Sequence, residues 1–196
     1  MIQLTIISQP QYFTGERSLL TELFEQGMSL FHLRKPESSI EELRTFIAAI
    51  PCQYHSRIVI HSHYSLASEF ALKGIHCTSK GRESFYEWQH LPIQKSISTH
   101  GFCEAAAVDE TFAYAFISPI FDSISKPDYS QAFMHDALQQ FLTRPRKPKF
   151  IALGGITNHN IQICKQLGFD GVAVLGSLWN ASDVVTQYNH LESCCL

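Results

Sequence analysis

Two stretches decide how this chain reads: Phe150-Ile151-Ala152-Leu153-Gly154-Gly155-Ile156-Thr157 and Gly171-Val172-Ala173-Val174-Leu175-Gly176-Ser177. Each is a short apolar run that stops on glycine. Between them, residues 159–167 carry a helical pattern closed by Gly168, so the order is strand, glycine loop, helix, strand. Parallel strands need such a crossover, and runs that are apolar on both faces belong to strands covered on both sides.

Working outward, the same unit recurs from end to end. Strands are predicted at 4–8, 30–34, 57–61, 74–77, 95–98, 114–118, 150–153 and 171–175. Helices are predicted at 17–26 (closed by Gly27), 39–50, 64–73 (closed by Gly74), 102–108, 131–142, 159–167 and 182–191, with a less regular one at 83–88. Ser38 or Ser39 can cap the second helix, and Glu41-Glu42 favour its first turn. Length alone leaves a doubly wound sheet and a barrel both open. Eight units at about 25 residues each select a (β/α)8 TIM barrel near minimal size. No low-complexity linker interrupts the chain, and Pro145 and Pro148 mark only a turn into strand seven, so residues 1–196 read as a single domain.

The chain is 45% hydrophobic and 17% charged, which excludes wholesale disorder. Its formal charge of −3, with no block of like charge, argues against nucleic-acid and membrane-surface partners. The start, Met1 to Ser8, has neither a basic run nor a long apolar stretch, so a cytoplasmic protein is expected. The six cysteines form no CxxC pair. Reduced, mostly buried thiols follow for that compartment, with Cys194-Cys195 as an exposed tail.

In a parallel barrel, chemistry is built just past the carboxyl ends of the strands. Those positions here carry Arg34, Lys35, His61, His63, His100, Ser123, Ser125, Lys126, Gly154-Gly155 and Gly176-Ser177. Gly154-Gly155 and Leu175-Gly176-Ser177 follow neighbouring strands, so two adjacent loops can offer backbone N–H groups to a phosphate. Taken alone, glycines there serve tight turns equally well. Arg34 and Lys126 can add positive charge and Ser123 and Ser125 hydroxyl donors, although each cation by itself also reads as a solvated loop residue. His100 lies at the mouth of strand five, where an imidazole can exchange protons near neutral pH. His61 and His63 alternate around Ser62 and would face one way in extended chain, a weak metal signal without a carboxylate beside it. His76, inside strand four, reads as a hydrogen-bonded interior residue.

Six segments in order carry a resemblance. They are Phe31-His32-Leu33-Arg34, Lys73-Gly74-Ile75-His76, Ser96-Ile97-Ser98-Thr99-His100, Ser118-Pro119-Ile120-Phe121-Asp122-Ser123-Ile124-Ser125-Lys126, Ala152-Leu153-Gly154-Gly155-Ile156, and Phe169 to Val174. Together they resemble the thiamine phosphate synthases and the related TenI-type thiazole tautomerases over nearly the whole chain. The resemblance implies a thiazole phosphate held by Arg34, Ser123, Ser125, Lys126, Gly154, Gly155, Leu175, Gly176 and Ser177. It implies no partner beyond that small molecule, apart from a homodimer of the kind such barrels often form.

Two departures bear on activity. The synthases end strand two in Arg-Glu-Lys, whose lysine helps hold a pyrophosphate, where this chain has Arg34-Lys35-Pro36. They also place Mg²⁺ aspartates after strands three and four, where this chain has His61-Ser62 and Gly81. The favoured expectation is therefore a TenI-like tautomerase, with His100 moving the proton and with neither metal nor cofactor. The alternative is a thiamine phosphate synthase joining hydroxymethylpyrimidine pyrophosphate to thiazole phosphate, which alone would call for Mg²⁺. A non-catalytic binder or regulator of thiazole or thiamine phosphates is a third reading, and a metal-dependent hydrolase on His61, His63 and His100 a fourth.

Overall fold

The computed structural model describes residues 1–78, 81–121, 133–145 and 148–196. Eight strands, β1 (Gln3–Ile7), β2 (Phe31–Leu33), β3 (Ile58–Ile60), β4 (Gly74–Cys77), β5 (Gln94–Thr99), β6 (Tyr114–Ile117), β7 (Lys149–Leu153) and β8 (Gly171–Val174), close in chain order into a barrel. The paired strands are parallel. This is the (β/α)8 TIM barrel expected from the eight repeated units, and each expected strand is present to within two residues. Packing divides the chain into two units, Ile6–Lys95 and Ser96–Leu196 with Met1–Thr5.

In the unit Ile6–Lys95, β1 to β4 pair in register Ile6↔Phe31, Phe31↔Ile58 and Ile60↔Ile75. Helix α1 (Glu16–Glu25) turns Leu20, Leu23 and Phe24 inward at the three- and four-residue spacing of one helix face. Helix α2 (Ile40–Ala48) starts in a capping box: the Ser39 hydroxyl accepts from the Glu42 N–H, and the Glu42 carboxylate accepts from the Ser39 N–H. A 3₁₀ turn over Cys52–Arg57, not foreseen from the pattern, follows it. Its His55 ring bridges the Ile50 and Phe70 carbonyls. Helix α3 spans only Ser65–Glu69, because Ala71 takes a left-handed backbone (φ 51°) that ends it well before Gly74. Helix α4 is Arg82–Trp88.

In the second unit, β5 to β8 pair in register Thr99↔Ile117, Ile117↔Ala152 and Leu153↔Ala173, and Gln3 N–H donates to Asp170 C=O where β1 meets β8. The helices are α5 (Phe102–Ala106), α6 (His135–Leu142), α7 (Ile161–Leu167), α8 (Gly176–Trp179) and α9 (Val184–Cys195). Gly168, at φ 94°, closes α7 as its sequence position implied. The carboxyl end of α9 is not the expected exposed tail. Ile2 N–H donates to the Cys195 carbonyl, and Cys195 is 2% exposed. All six cysteines are free thiols, with Cys52 and Cys103 exposed and Cys77, Cys164 and Cys195 buried. Among the described residues, no helix is long and apolar enough to cross a membrane.

Candidate active site

The register of β5 on β6 fixes the first element. Thr99 pairs with Ile117, so the next residues, His100 and Ser118, emerge side by side at the carboxyl ends of the two strands. His100 Nδ1 lies 3.2 Å from Ser118 Oγ and 3.3 Å from the Ser118 carbonyl, while the exposed His100 keeps its backbone N–H on Glu104 Oε2 at 2.9 Å. A carbonyl can only accept, so the neutral imidazole facing it carries its proton on Nδ1. Nε2 is then the basic nitrogen.

The second element is the loop after β7. Gly154 and Gly155 have φ of 95° and 66°, a region that side chains resist. A Cβ on Gly154 would also stand 2.9 Å from Pro119 Cα, because the β6 loop is laced over it by Ile120 N–H to Leu153 C=O and Phe121 N–H to Gly154 C=O. Asn160 Nδ2 donates to the Gly155 carbonyl and its Oδ1 accepts from Thr157 N–H, which ties down the far side.

The neighbouring loop, after β8, contains the single helical turn α8, ahead of the helix expected at 182–191. The first N–H groups of a helix have no intrahelical acceptor. Ser177 Oγ is buried there and has no hydrogen-bond partner among the described residues. An orphaned buried hydroxyl costs about 1–3 kcal/mol unless something accepts or donates to it. Backbone N–H groups and this hydroxyl together suit an anion. Ser123, Ser125 and Lys126 lie outside the described residues.

In the other unit, Arg34 and Lys35 part company. Arg34 is half-buried and braced through its backbone, its N–H donating to Ser8 Oγ and its carbonyl accepting from the same hydroxyl. Lys35 is 1% exposed and donates to both Glu16 carboxylate oxygens, at 2.7 and 2.9 Å, and to the Gln11 carbonyl, with its ammonium 4.6 Å from the Tyr12 ring centre. The strand-end lysine of the sequence is thus an internal strut. Burial lowers the Lys35 pKa and raises that of Glu16, more than their mutual attraction does the reverse.

Sequence reasoning missed a cluster here. His32 in β2, His61 just past β3 and His76 in β4 converge, with His32 Nδ1 2.9 Å from His61 Nε2 and the His61 and His76 rings stacked at 4.3 Å. Desolvation holds all three imidazoles neutral, His76 down to about 3, helped for His61 and His76 by the Arg34 charge. His63 does not share this side. Its left-handed backbone (φ 53°) breaks the extended alternation and turns Nε2 to the Ser38 carbonyl at 2.8 Å. The one three-ligand histidine cluster among the described residues is therefore His32, His61 and His76, not His61, His63 and His100. The signal was present in sequence only as isolated histidines within three strands.

Mg²⁺, which the family resemblance would place after strands three and four, does not fit the described residues there. Ser62 offers only a neutral hydroxyl where a carboxylate would be needed, and Gly81, bonded through its N–H to Thr78, has no side chain. Mg²⁺ takes hard oxygen ligands.

The chain matches the family described as thiamine monophosphate synthase over residues 4–178. It is 27% identical to the thiamine-phosphate synthase of Lysinibacillus sphaericus over 174 residues, 85% of this chain and 82% of that one. Against the thiamine-phosphate synthase of Listeria monocytogenes it is 25% identical over 188 residues, 89% and 87% of the two chains. The crystal structure of thiamine phosphate pyrophosphorylase from Bacteroides thetaiotaomicron superposes with a TM-score of 0.85 at 31% identity, covering 98% of this chain and 97% of that one.

Proposed function

Because this chain belongs to the thiamine monophosphate synthase family of thiamine-biosynthesis enzymes, we propose that it acts on a thiazole phosphate, and that the reaction it favours is a proton shift on the ring. The observation that carries this reading is His100, an imidazole at a strand end whose Nδ1 is engaged by Ser118. Such a group can take a proton at Nε2 and return it to another ring position. Positioned acid–base catalysis of this kind contributes about 10² to 10⁴ in rate. The phosphate would be held by the Gly154-Gly155 backbone, the first turn of α8 and Ser177 Oγ, with Ser123, Ser125 and Lys126 supplying charge and further donors.

The second reading is the coupling of hydroxymethylpyrimidine pyrophosphate to thiazole phosphate. The names of the relatives favour it, since those described above are called synthase or pyrophosphorylase and none is called a tautomerase. The lack of a carboxylate at Ser62 and at Gly81 favours the first.

Two incubations separate them. With the non-aromatic tautomer of thiazole carboxylate phosphate alone in heavy water, catalytic aromatisation with deuterium uptake is expected, and His100→Asn should slow it by about 10² to 10⁴ without loss of binding. With both substrates and Mg²⁺, thiamine phosphate formed at a catalytic rate would overturn the proton-shift reading. Tight binding without turnover in either incubation would overturn both.

A further inference from the structure

We propose that His32, His61 and His76 form a binding site for a divalent transition metal of the zinc type. Two observations on one unit point to it. Each residue comes from a different adjacent strand segment, and one ligand atom from each lies within 4.8 Å of the others. The cluster sits in the interior, where His32 and His76 are 0% exposed, so desolvated neutral imidazoles, the form that ligates, are already in place.

The geometry needs little adjustment. A tetrahedral ion with metal–nitrogen bonds of about 2.0–2.1 Å sets its ligand nitrogens about 3.3 Å apart. The His32–His61 nitrogens, now 2.9 Å apart, would open by a few tenths of an ångström as the ion takes the place of the proton between them, which moves to the other nitrogen of its own ring. The spread of up to 4.8 Å would close by about 1.5 Å, within the reach of side-chain rotation. Three imidazoles without a carboxylate select zinc, cobalt, nickel or copper over Mg²⁺ or Ca²⁺. Arg34 lies near enough to act electrostatically on His61 and His76. Its positive charge beside a dication makes an anion the favoured fourth ligand. This site does not depend on thiazole phosphate being the substrate.

The test uses the untagged full chain, stripped with a chelator and titrated with Zn²⁺ and Co²⁺. One equivalent should bind, the cobalt form should show the visible bands of a tetrahedral site, and His76→Ala should weaken binding at least 100-fold. His159→Asn, at an exposed position, should leave binding unchanged. Should His76→Ala fail to fold, the parent protein still decides. Imidazole nitrogen resonances of His32, His61 and His76 should all move on adding Zn²⁺ while those of His159 stay. Absence of saturable binding, or resonances of the three histidines that do not move, would overturn the site and leave a purely hydrogen-bonded histidine stack.

Discussion

Removing one member of the Lys35–Glu16 pair should destabilise the protein far more than removing both. The two side chains meet at 2.7 Å and are each 1% exposed, so neither Glu16→Leu nor Lys35→Met lets water replace the lost partner. Among the described residues, Glu16→Leu strands an ammonium with only the Gln11 carbonyl and the Tyr12 and Phe46 rings around it. Breaking a buried pair from one side costs about 3–5 kcal/mol. For a chain of this size, 1 kcal/mol moves the melting temperature by about 2–4 °C, so each single variant should melt roughly 6–20 °C lower. The double variant, Glu16→Leu with Lys35→Met, should recover at least half of that loss, because desolvation already outweighs attraction at both groups. Urea denaturation of the four proteins measures the cycle, and KM for a thiazole phosphate measured alongside should not rise in the double variant. Single variants within about 1 kcal/mol of the parent, as for an exposed pair, would refute the reasoning. So would a Lys35→Met protein with unchanged stability and a raised KM, since that would make Lys35 a ligand group.

Ser177→Ala removes a hydroxyl that has no protein partner among the described residues. Its melting temperature should hold or rise slightly while phosphate binding weakens about 10- to 100-fold, the worth of a hydrogen bond to a charged group; steady-state kinetics with a melting curve checks both. Gly154→Ala should lose more than the about 1–2 kcal/mol of left-handed strain alone, because the new methyl also meets Pro119 Cα, and a stability within 0.5 kcal/mol of the parent, on the scale of a surface change, would contradict that. Acid should unfold the protein through His32, His61 and His76. Their folded pKa values lie below the unfolded value near 6.5, so stability is held above that pH and lost below it. Between pH 7.5 and 5.5 the loss is up to about 1.4 kcal/mol per imidazole, about 4 kcal/mol together, read by urea titration with a chelator present.

The barrel was legible because its strands are buried on both faces and so appear as uninterrupted apolar runs, Ile58–Ile60 and Gly171–Val174 among them. The glycine loops were legible for a similar reason, since positive φ at Gly154, Gly155 and Gly168 leaves a mark in composition. Element ends were less so. Ala71 breaks α3 through its backbone angle, and nothing about alanine announces that. Side-chain partnerships across the chain were least legible. Glu16 claims Lys35 from 19 residues away, and the three histidines meet only once the β2, β3 and β4 registers are set. At His61 and His63 local alternation pointed the wrong way, because one left-handed residue reverses a side chain's direction.

The distribution of thiols offers a built-in reporter. Cys103 is exposed in the first turn of α5, one residue before the Glu104 that holds the His100 backbone. Burial raises the Cys77, Cys164 and Cys195 thiols, the last two to about 12, which keeps them from reacting. A thiol-directed fluorophore would therefore mark Cys103 beside the proposed proton-transfer group, with Cys52 and the half-exposed Cys194 elsewhere, and replacing those two by serine would leave one bright label whose signal follows site occupancy directly.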